Sequence, residues 1–177
     1  MEELSDELYH SIMDDLERGD QLAEQEQFKT AINLYRTGLD KLPHPQTGWE
    51  ISLHLYTALG DCYFNLGDYE LSNDSYNKAL QCPNALDNGY VWLGLGQSYF
   101  ELENIEKAED ALMSAYMLEG EEIFEEEDDK YFELIKPYLK ENNIPKQNNE
   151  PDIPQDDPPR PENRPPGTSF SLLNDKA

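Results

Sequence analysis

Two cysteines, Cys62 and Cys82, are all that the 177 residues contain. They cannot form a disulfide framework, so an apolar core in a reducing, cytoplasmic setting is expected. Long apolar runs are also missing. No stretch approaches the roughly 18 consecutive apolar residues of a membrane span. The opening MEELSDELYH lacks a basic segment followed by an apolar one, so no secretory leader is expected. Positive charge is scarce as well: 13 Lys and Arg stand against 38 Asp and Glu, a formal net charge of −25. Phosphates would be repelled along most of such a surface, which argues against nucleic acid and against anionic membranes as partners. A basic protein or peptide fits the charge.

Catalytic signatures are absent too. There is no GxSxG, no phosphate loop and no HExxH, and His10, His44 and His54 have no ligand spacing with the cysteines. The expectation is a non-enzyme with no catalytic residue, no cofactor and no metal. The run from Glu121 to Asp129 holds seven acids but lacks the alternating Asp/Asn and central Gly of a calcium loop. It reads as a solvated helix start favoured by the helix dipole, or as a decoy for a basic surface.

Composition shifts near Asn142. Eight of the 12 prolines lie beyond it, with a single aromatic residue, Phe170. Residues 143–177 are therefore expected to be a disordered Pro-rich tail, unable to bury enough apolar surface to offset the entropy of ordering. Residues 1–142 keep 32 acids against nine bases, so the charge belongs to the expected domain.

Within 1–142 three segments align on Gly19, Gly60 and Gly96. Three residues on stand Leu22, Tyr63 and Tyr99; nine on, Phe28, Tyr69 and Ile105; twelve on, Ala31, Ser72 and Ala108. Sixteen on stand Tyr35, Tyr76 and Leu112, and nineteen on Gly38, Ala79 and Ala115. Small residues let two antiparallel helices approach, and the bulky residues beside them fill the gap. Each pair leaves an apolar face for the next pair to cover. Gly67-Asp68 and Glu103-Asn104 are short polar breaks within pairs two and three.

Trp92, Leu95, Gly96 and Tyr99 match W-x2-L-G-x2-Y as they stand, and Tyr56, Leu59, Gly60 and Tyr63 match with Tyr for Trp. On these positions the chain resembles the tetratricopeptide repeat family. The first copy is degenerate, with Asp15 and Arg18 where an aromatic and Leu would sit. The resemblance implies an all-α TPR α-solenoid of three helix pairs, with repeats at approximately 12–45, 53–86 and 89–122 of a domain spanning 1–142. The first helix should begin near Ser5, since Leu4, Leu8, Ile12 and Leu16 recur every four residues. Tyr131, Leu134, Ile135, Tyr138 and Leu139 share one helical face, so a capping helix is expected at approximately 124–141, kinked or split after Lys136 by Pro137. Extra residues fall around Pro43–Ser52, where an enlarged loop should let Trp49 pack back on the first repeat.

In the family the first helix of each pair lines the concave side. By resemblance the lining positions are Met13, Leu16, Asp20, Ala23 and Glu24, then His54, Thr57, Asp61, Phe64 and Asn65, then Tyr90, Leu93, Gln97, Phe100 and Glu101. Asp20, Glu24, His54, Asp61, Phe64, Asn65, Tyr90, Gln97, Phe100 and Glu101 are the expected partner-binding residues, with Phe64 and Phe100 open to two readings, exposed anchors or packing between repeats. One subfamily clamps acidic chaperone C-termini with groove Lys, Arg and Asn. The corresponding places here hold Leu16, Asp20, Tyr90 and Gly94, so that clamp is not expected. The acidic groove suits a basic, partly apolar segment. The chain resembles bacterial immunity proteins that neutralise toxins, many of which have basic clefts, and a toxin domain is the expected partner, with the chain a monomer or in a hetero-complex. The alternatives are a secretion-type TPR chaperone and a generic TPR scaffold.

Overall fold

Ser5 opens the first helix: its hydroxyl accepts the backbone N–H of Leu8 at 3.3 Å, as a helix cap does. From there the computed structural model describes residues 3–141. The chain divides into two units, Met1–Asn143 and Ile144–Ala177, and every described helix lies in the first. The tail expected at 143–177 lies outside the described residues.

Seven α-helices and no strand occur among the described residues: α1 (Asp6–Glu24), α2 (Phe28–Asp40), α3 (Glu50–Asn65), α4 (Tyr69–Ala79), α5 (Gly89–Glu101), α6 (Ile105–Glu119) and α7 (Asp129–Glu141). Short 3-10 turns occupy Gln46–Gly48, Ala85–Asp87 and Glu121–Phe124. Helices pack in sequence, most extensively within α1–α2, α3–α4 and α5–α6. Successive pairs meet through α2–α3 and α4–α5, and α7 lies on α6.

The three pairs turn in the same way. Glu26, Gly67 and Glu103 each take a left-handed conformation, with φ of 60°, 76° and 60°. After each, the next N–H reaches back six-to-one: Gln27 to the carbonyl of Leu22 at 2.8 Å, Asp68 to Tyr63 at 2.9 Å, Asn104 to Tyr99 at 2.9 Å. Asp68 and Asn104 then cap α4 and α6 with their side chains, while Gln27 gives α2 no such cap. The first segment is thus a full structural copy despite its degenerate sequence.

One apolar core runs from Ile12 and Tyr35 through Leu55 and Tyr76 to Val91 and Leu95. A second, around Leu93, Leu112, Phe124, Tyr131 and Ile135, joins the third pair to α7. Trp92 packs against both, its indole N–H donating to the carbonyl of Leu86 at 3.0 Å. In the first pair, where the pattern wants an aromatic, buried Asp15 pairs with Lys41 at 2.6 Å, and Lys41 also donates to the Ser11 carbonyl at 3.0 Å and hydroxyl at 2.7 Å. An ion pair between α1 and the end of α2 therefore takes the aromatic's place.

Trp49 is half-buried against the main core, with its indole N–H on the Pro43 carbonyl at 2.8 Å. Two expectations need correction. Of the kink or split expected at Pro137, the split does not occur: α7 continues through it to Glu141. Proline removes one backbone bond, but the buried anchors Tyr131 and Ile135 both precede it. The acidic run opens α7 only through its last two residues, Asp128, which accepts the Lys130 N–H at 3.1 Å, and Asp129. The rest of it forms a 3-10 turn and loop folded over buried Phe124.

Candidate functional site

The concave side is built on close contacts between a helix and a tyrosine. Tyr35 of α2 is buried against Gly19 of α1, where an added Cβ would stand 2.3 Å from its ring. That approach carries its hydroxyl across to Asp20, to which it donates at 2.8 Å. The second pair repeats the device. Tyr76 of α4 lies over Gly60 of α3 and also against Gly94 of α5, where a Cβ would come within 2.2 Å of the ring. Its hydroxyl donates to Asp61, which also receives the hydroxyl of Tyr90 at 3.2 Å. A glycine, the aspartate after it and a tyrosine 16 residues beyond the glycine form one unit, used twice.

The third pair lacks it. Leu112 closes over Gly96, and Gln97 takes the aspartate's place. Gln97 is buried and donates to Glu127 at 2.6 Å, so it does not present itself to a partner. Four residues on, Glu101 receives the Tyr131 hydroxyl at 2.7 Å and pairs with Lys130 at 2.7 Å. Lys130 also lies 5.7 Å from the Phe100 ring centre. None of the groove positions taken from the repeat register is Lys or Arg, but α7 brings a lysine to this end.

Two adjoining open hollows separate α1 from α3 on this side. One, of about 320 Å³, is lined by Asp20, Glu24, Tyr35, Asp61 and Asn65, among others. The second, of about 250 Å³, is lined by Asp20, His54, Thr57, Asp61 and Tyr90 together with Leu16. Asp20, Glu24, His54, Asp61, Asn65 and Tyr90 thus gather around one depression, and no Lys or Arg lines it. Phe64, Gln97, Phe100 and Glu101 do not line it. Phe64 and Phe100 are half-buried against the second core, edge-on to Tyr69 at 5.3 Å and to Tyr131 at 5.4 Å. Of the two readings of these rings, packing is the one the geometry favours.

The depression sits in a negative field. Burial pushes the Asp61 carboxyl up to about 6; the Tyr76 and Tyr90 hydroxyls pull it back, while Glu127 and Asp20 add further upward push. At the other end burial also acts upward on Glu101, but the bonds from Lys130 and Tyr131 outweigh it and hold the carboxyl below its ordinary value. Burial, with the Asp61 charge and bond, drives the Tyr76 and Tyr90 hydroxyls well above the usual phenol range, so both remain donors.

The tyrosine–aspartate units and the Lys130–Glu101 pair were not read from the sequence. The units had a signal: Tyr at sixteen goes with Asp at one, and Leu with Gln. Lys130 had none, because the repeat pattern does not say where a capping helix lands.

A family model for the tetratricopeptide repeat matches residues 53–81 and 90–121. These two segments are therefore tetratricopeptide repeats, and the fold of the described residues is a TPR solenoid. Among curated proteins, the general transcriptional corepressor ssn6 of Schizosaccharomyces pombe is 31% identical over 98 residues, 55% of this chain. The match spans only 8% of that relative's length. Among solved structures, the C-terminal TPR-containing domain of an FK506-binding protein of Plasmodium falciparum has a TM-score of 0.62 at 19% identity, covering 79% of this chain and 93% of that one. The second TPR domain of human RPAP3, in complex with the HSP70 peptide SGPTIEEVD, has a TM-score of 0.58 at 12% identity, over 75% of this chain and 98% of that one. The Yersinia enterocolitica type III secretion chaperone SycD, in complex with a peptide of the translocator YopD, has 0.58 at 13% identity, over 75% and 95%. At these identities the structures establish the fold alone. No described helix is long and apolar enough to cross a membrane.

Proposed function

We propose that this chain is a non-enzymatic protein–protein interaction module whose concave face takes a basic, partly apolar segment of another protein. The observation that carries this is the depression between α1 and α3, where Asp20, Glu24 and Asp61 meet His54, Asn65 and Tyr90 without one Lys or Arg. Carboxylates on a strongly negative domain attract a cationic chain at long range and pair with it on contact. The finer role is inhibitor of a basic toxin domain, an immunity function; it rests on the same charge. A second reading, a chaperone holding an extended peptide, draws on the likeness to the Yersinia chaperone, which is in complex with a translocator peptide.

The test uses two peptides with the full chain. SGPTIEEVD, whose complex with a human TPR domain is among the similar structures, should bind negligibly. Its charge-reversed counterpart, with Lys at both Glu positions and at Asp, should bind, and more weakly as salt rises. A cation beside Asp61 also favours its ionised form, so binding near pH 6 should release protons, seen as buffer-dependent heat in calorimetry. Equal binding of both peptides, or no proton release, would remove the concave face as the site.

A further inference from the structure

A further hollow, sharing no lining residue with the depression between α1 and α3, lies where the start of α1 meets the loops before α3 and after α4. It measures about 480 Å³, within the size range of ligand pockets, and is mostly apolar. Tyr9, Trp49 and Leu4 supply rings and an aliphatic wall, and Glu3, Asp6 and Glu50 supply carboxylates. No Lys, Arg or His lines it. Tyr9 stays 44% exposed although it sits on a helix with a buried face. Trp49 is held in orientation by its bond to the Pro43 carbonyl, which leaves its half-exposed ring a fixed wall. Glu50 is steadied by the Asn84 side-chain amide at 3.2 Å, a contact that leaves its negative charge uncompensated.

We propose that this hollow is a second docking site, and that its occupant is an Arg or Lys side chain flanked by an apolar residue on a partner protein. The chemistry is specific to that class. A guanidinium or ammonium is attracted to the faces of Trp and Tyr. Its aliphatic stem covers apolar wall while its head reaches carboxylates at the rim. A purely apolar segment would leave three carboxylates without a counter-charge, and an acidic one would be repelled. None of Asp20, His54, Asp61 or Tyr90 lines the hollow, so the site stands whether or not the concave face binds anything.

The experiment is a nuclear magnetic resonance titration of the 15N-labelled full chain. The probes are acetyl-Leu-Arg-Leu-amide and acetyl-Leu-Glu-Leu-amide. The two indole signals, of Trp49 and Trp92, are told apart with Trp49→Phe. The Arg peptide should move the Trp49 indole and Tyr9 amide signals saturably and leave the Trp92 indole in place. The Glu peptide should bind at least tenfold more weakly. Combining Glu3→Gln, Asp6→Asn and Glu50→Gln should weaken the Arg peptide about tenfold, the sum expected of three exposed ion pairs. Tyr9→Ala, at an exposed position, should weaken it without altering the rest of the spectrum. Any of four results overturns the proposal: equal response to both peptides, unchanged affinity in the triple variant, shifts confined to Asp20, His54 and Asp61, or no shift at millimolar peptide.

Discussion

In the first helix pair Tyr35 crosses Gly19 to reach Asp20, and in the second Tyr76 crosses Gly60 to reach Asp61. In the third pair Leu112 closes over Gly96, and the groove side is tied down from outside the pair, by Glu127 on Gln97 and by Tyr131 and Lys130 on Glu101. The comparison shows that acids on a concave face can hold the fold and line an open depression at once. Asp20 and Asp61 accept bonds from the core as well as facing the depression. Glu101 has its own lysine and is the least available of the three to a partner. Neutralising all three together would therefore mix binding with stability, and the two ends of the groove need separate tests.

The largest effect should come from closing the contact that links the second and third pairs. Gly94→Ala puts a methyl group where Tyr76 already lies, with backbone on one side and a buried ring on the other. Overpacking of this kind should cost about 3 kcal/mol. Chemical denaturation measures it; an unchanged midpoint would mean that the ring can move aside and that Tyr76 does not bridge the pairs.

Next come the hydroxyls. Tyr76→Phe leaves Asp61 with only the longer bond from Tyr90, and a lost bond to a partly buried carboxylate should cost about 2 kcal/mol. Tyr131→Phe leaves Glu101 its bridge to Lys130, and the loss should stay under about 1 kcal/mol. Equal costs in parallel urea titrations at pH 7.5 would break the distinction between the braces.

The two ends should also respond oppositely to pH. The folded-state value of Asp61, about 6, lies above the ordinary carboxylate value. The folded chain then binds this proton more tightly than the unfolded chain. Its contribution is present in acid and is lost as pH rises through about 6. Glu101 is held below its ordinary value, so its contribution is present above that value and is lost as pH falls. Between pH 5 and 7 Asp61 dominates, and stability should fall as pH rises. General charge repulsion has the same sign, so Asp61→Asn is the control: the wild-type slope should be steeper than that of the variant. Identical slopes would show that Asp61 titrates as an ordinary carboxylate.

Much of the architecture was legible because the glycine-centred spacing recurs in three copies, and helix pairing follows directly from where small residues admit large ones. The four-residue recurrence of Leu4, Leu8, Ile12 and Leu16 likewise marked the start of α1 near Ser5, where the cap is found. What the pattern hid were contacts set by geometry between elements. Asp15 reads as a defect in the first copy, yet Lys41, at the far end of α2, lies beside it. Phe64 and Phe100 occupy groove positions by register, yet both are half-buried against the second core, Phe100 beside Tyr131 of α7. The acidic run has the composition of a helix start, while the apolar pull of Phe124 folds most of it into a turn.

The smallest effect tests whether the three turns are as equivalent as their hydrogen bonds imply. The second pair places Gly67 at the left-handed position, and the first and third place Glu26 and Glu103 there at almost the same φ. A side chain in that conformation costs roughly 1–2 kcal/mol against the right-handed one. Glycine avoids the cost but loses more chain entropy on folding, so Glu103→Gly should stabilise by no more than about 1 kcal/mol. Glu26→Gly should behave alike, and Gly67→Ala should destabilise by a similar amount although nothing lies within 4 Å of the added methyl group. Urea midpoints at constant slope measure all three. If Glu103→Gly destabilises while Glu26→Gly stabilises, the Glu103 side chain has a role in the third pair that its backbone does not reveal, and the turns are equivalent in geometry alone.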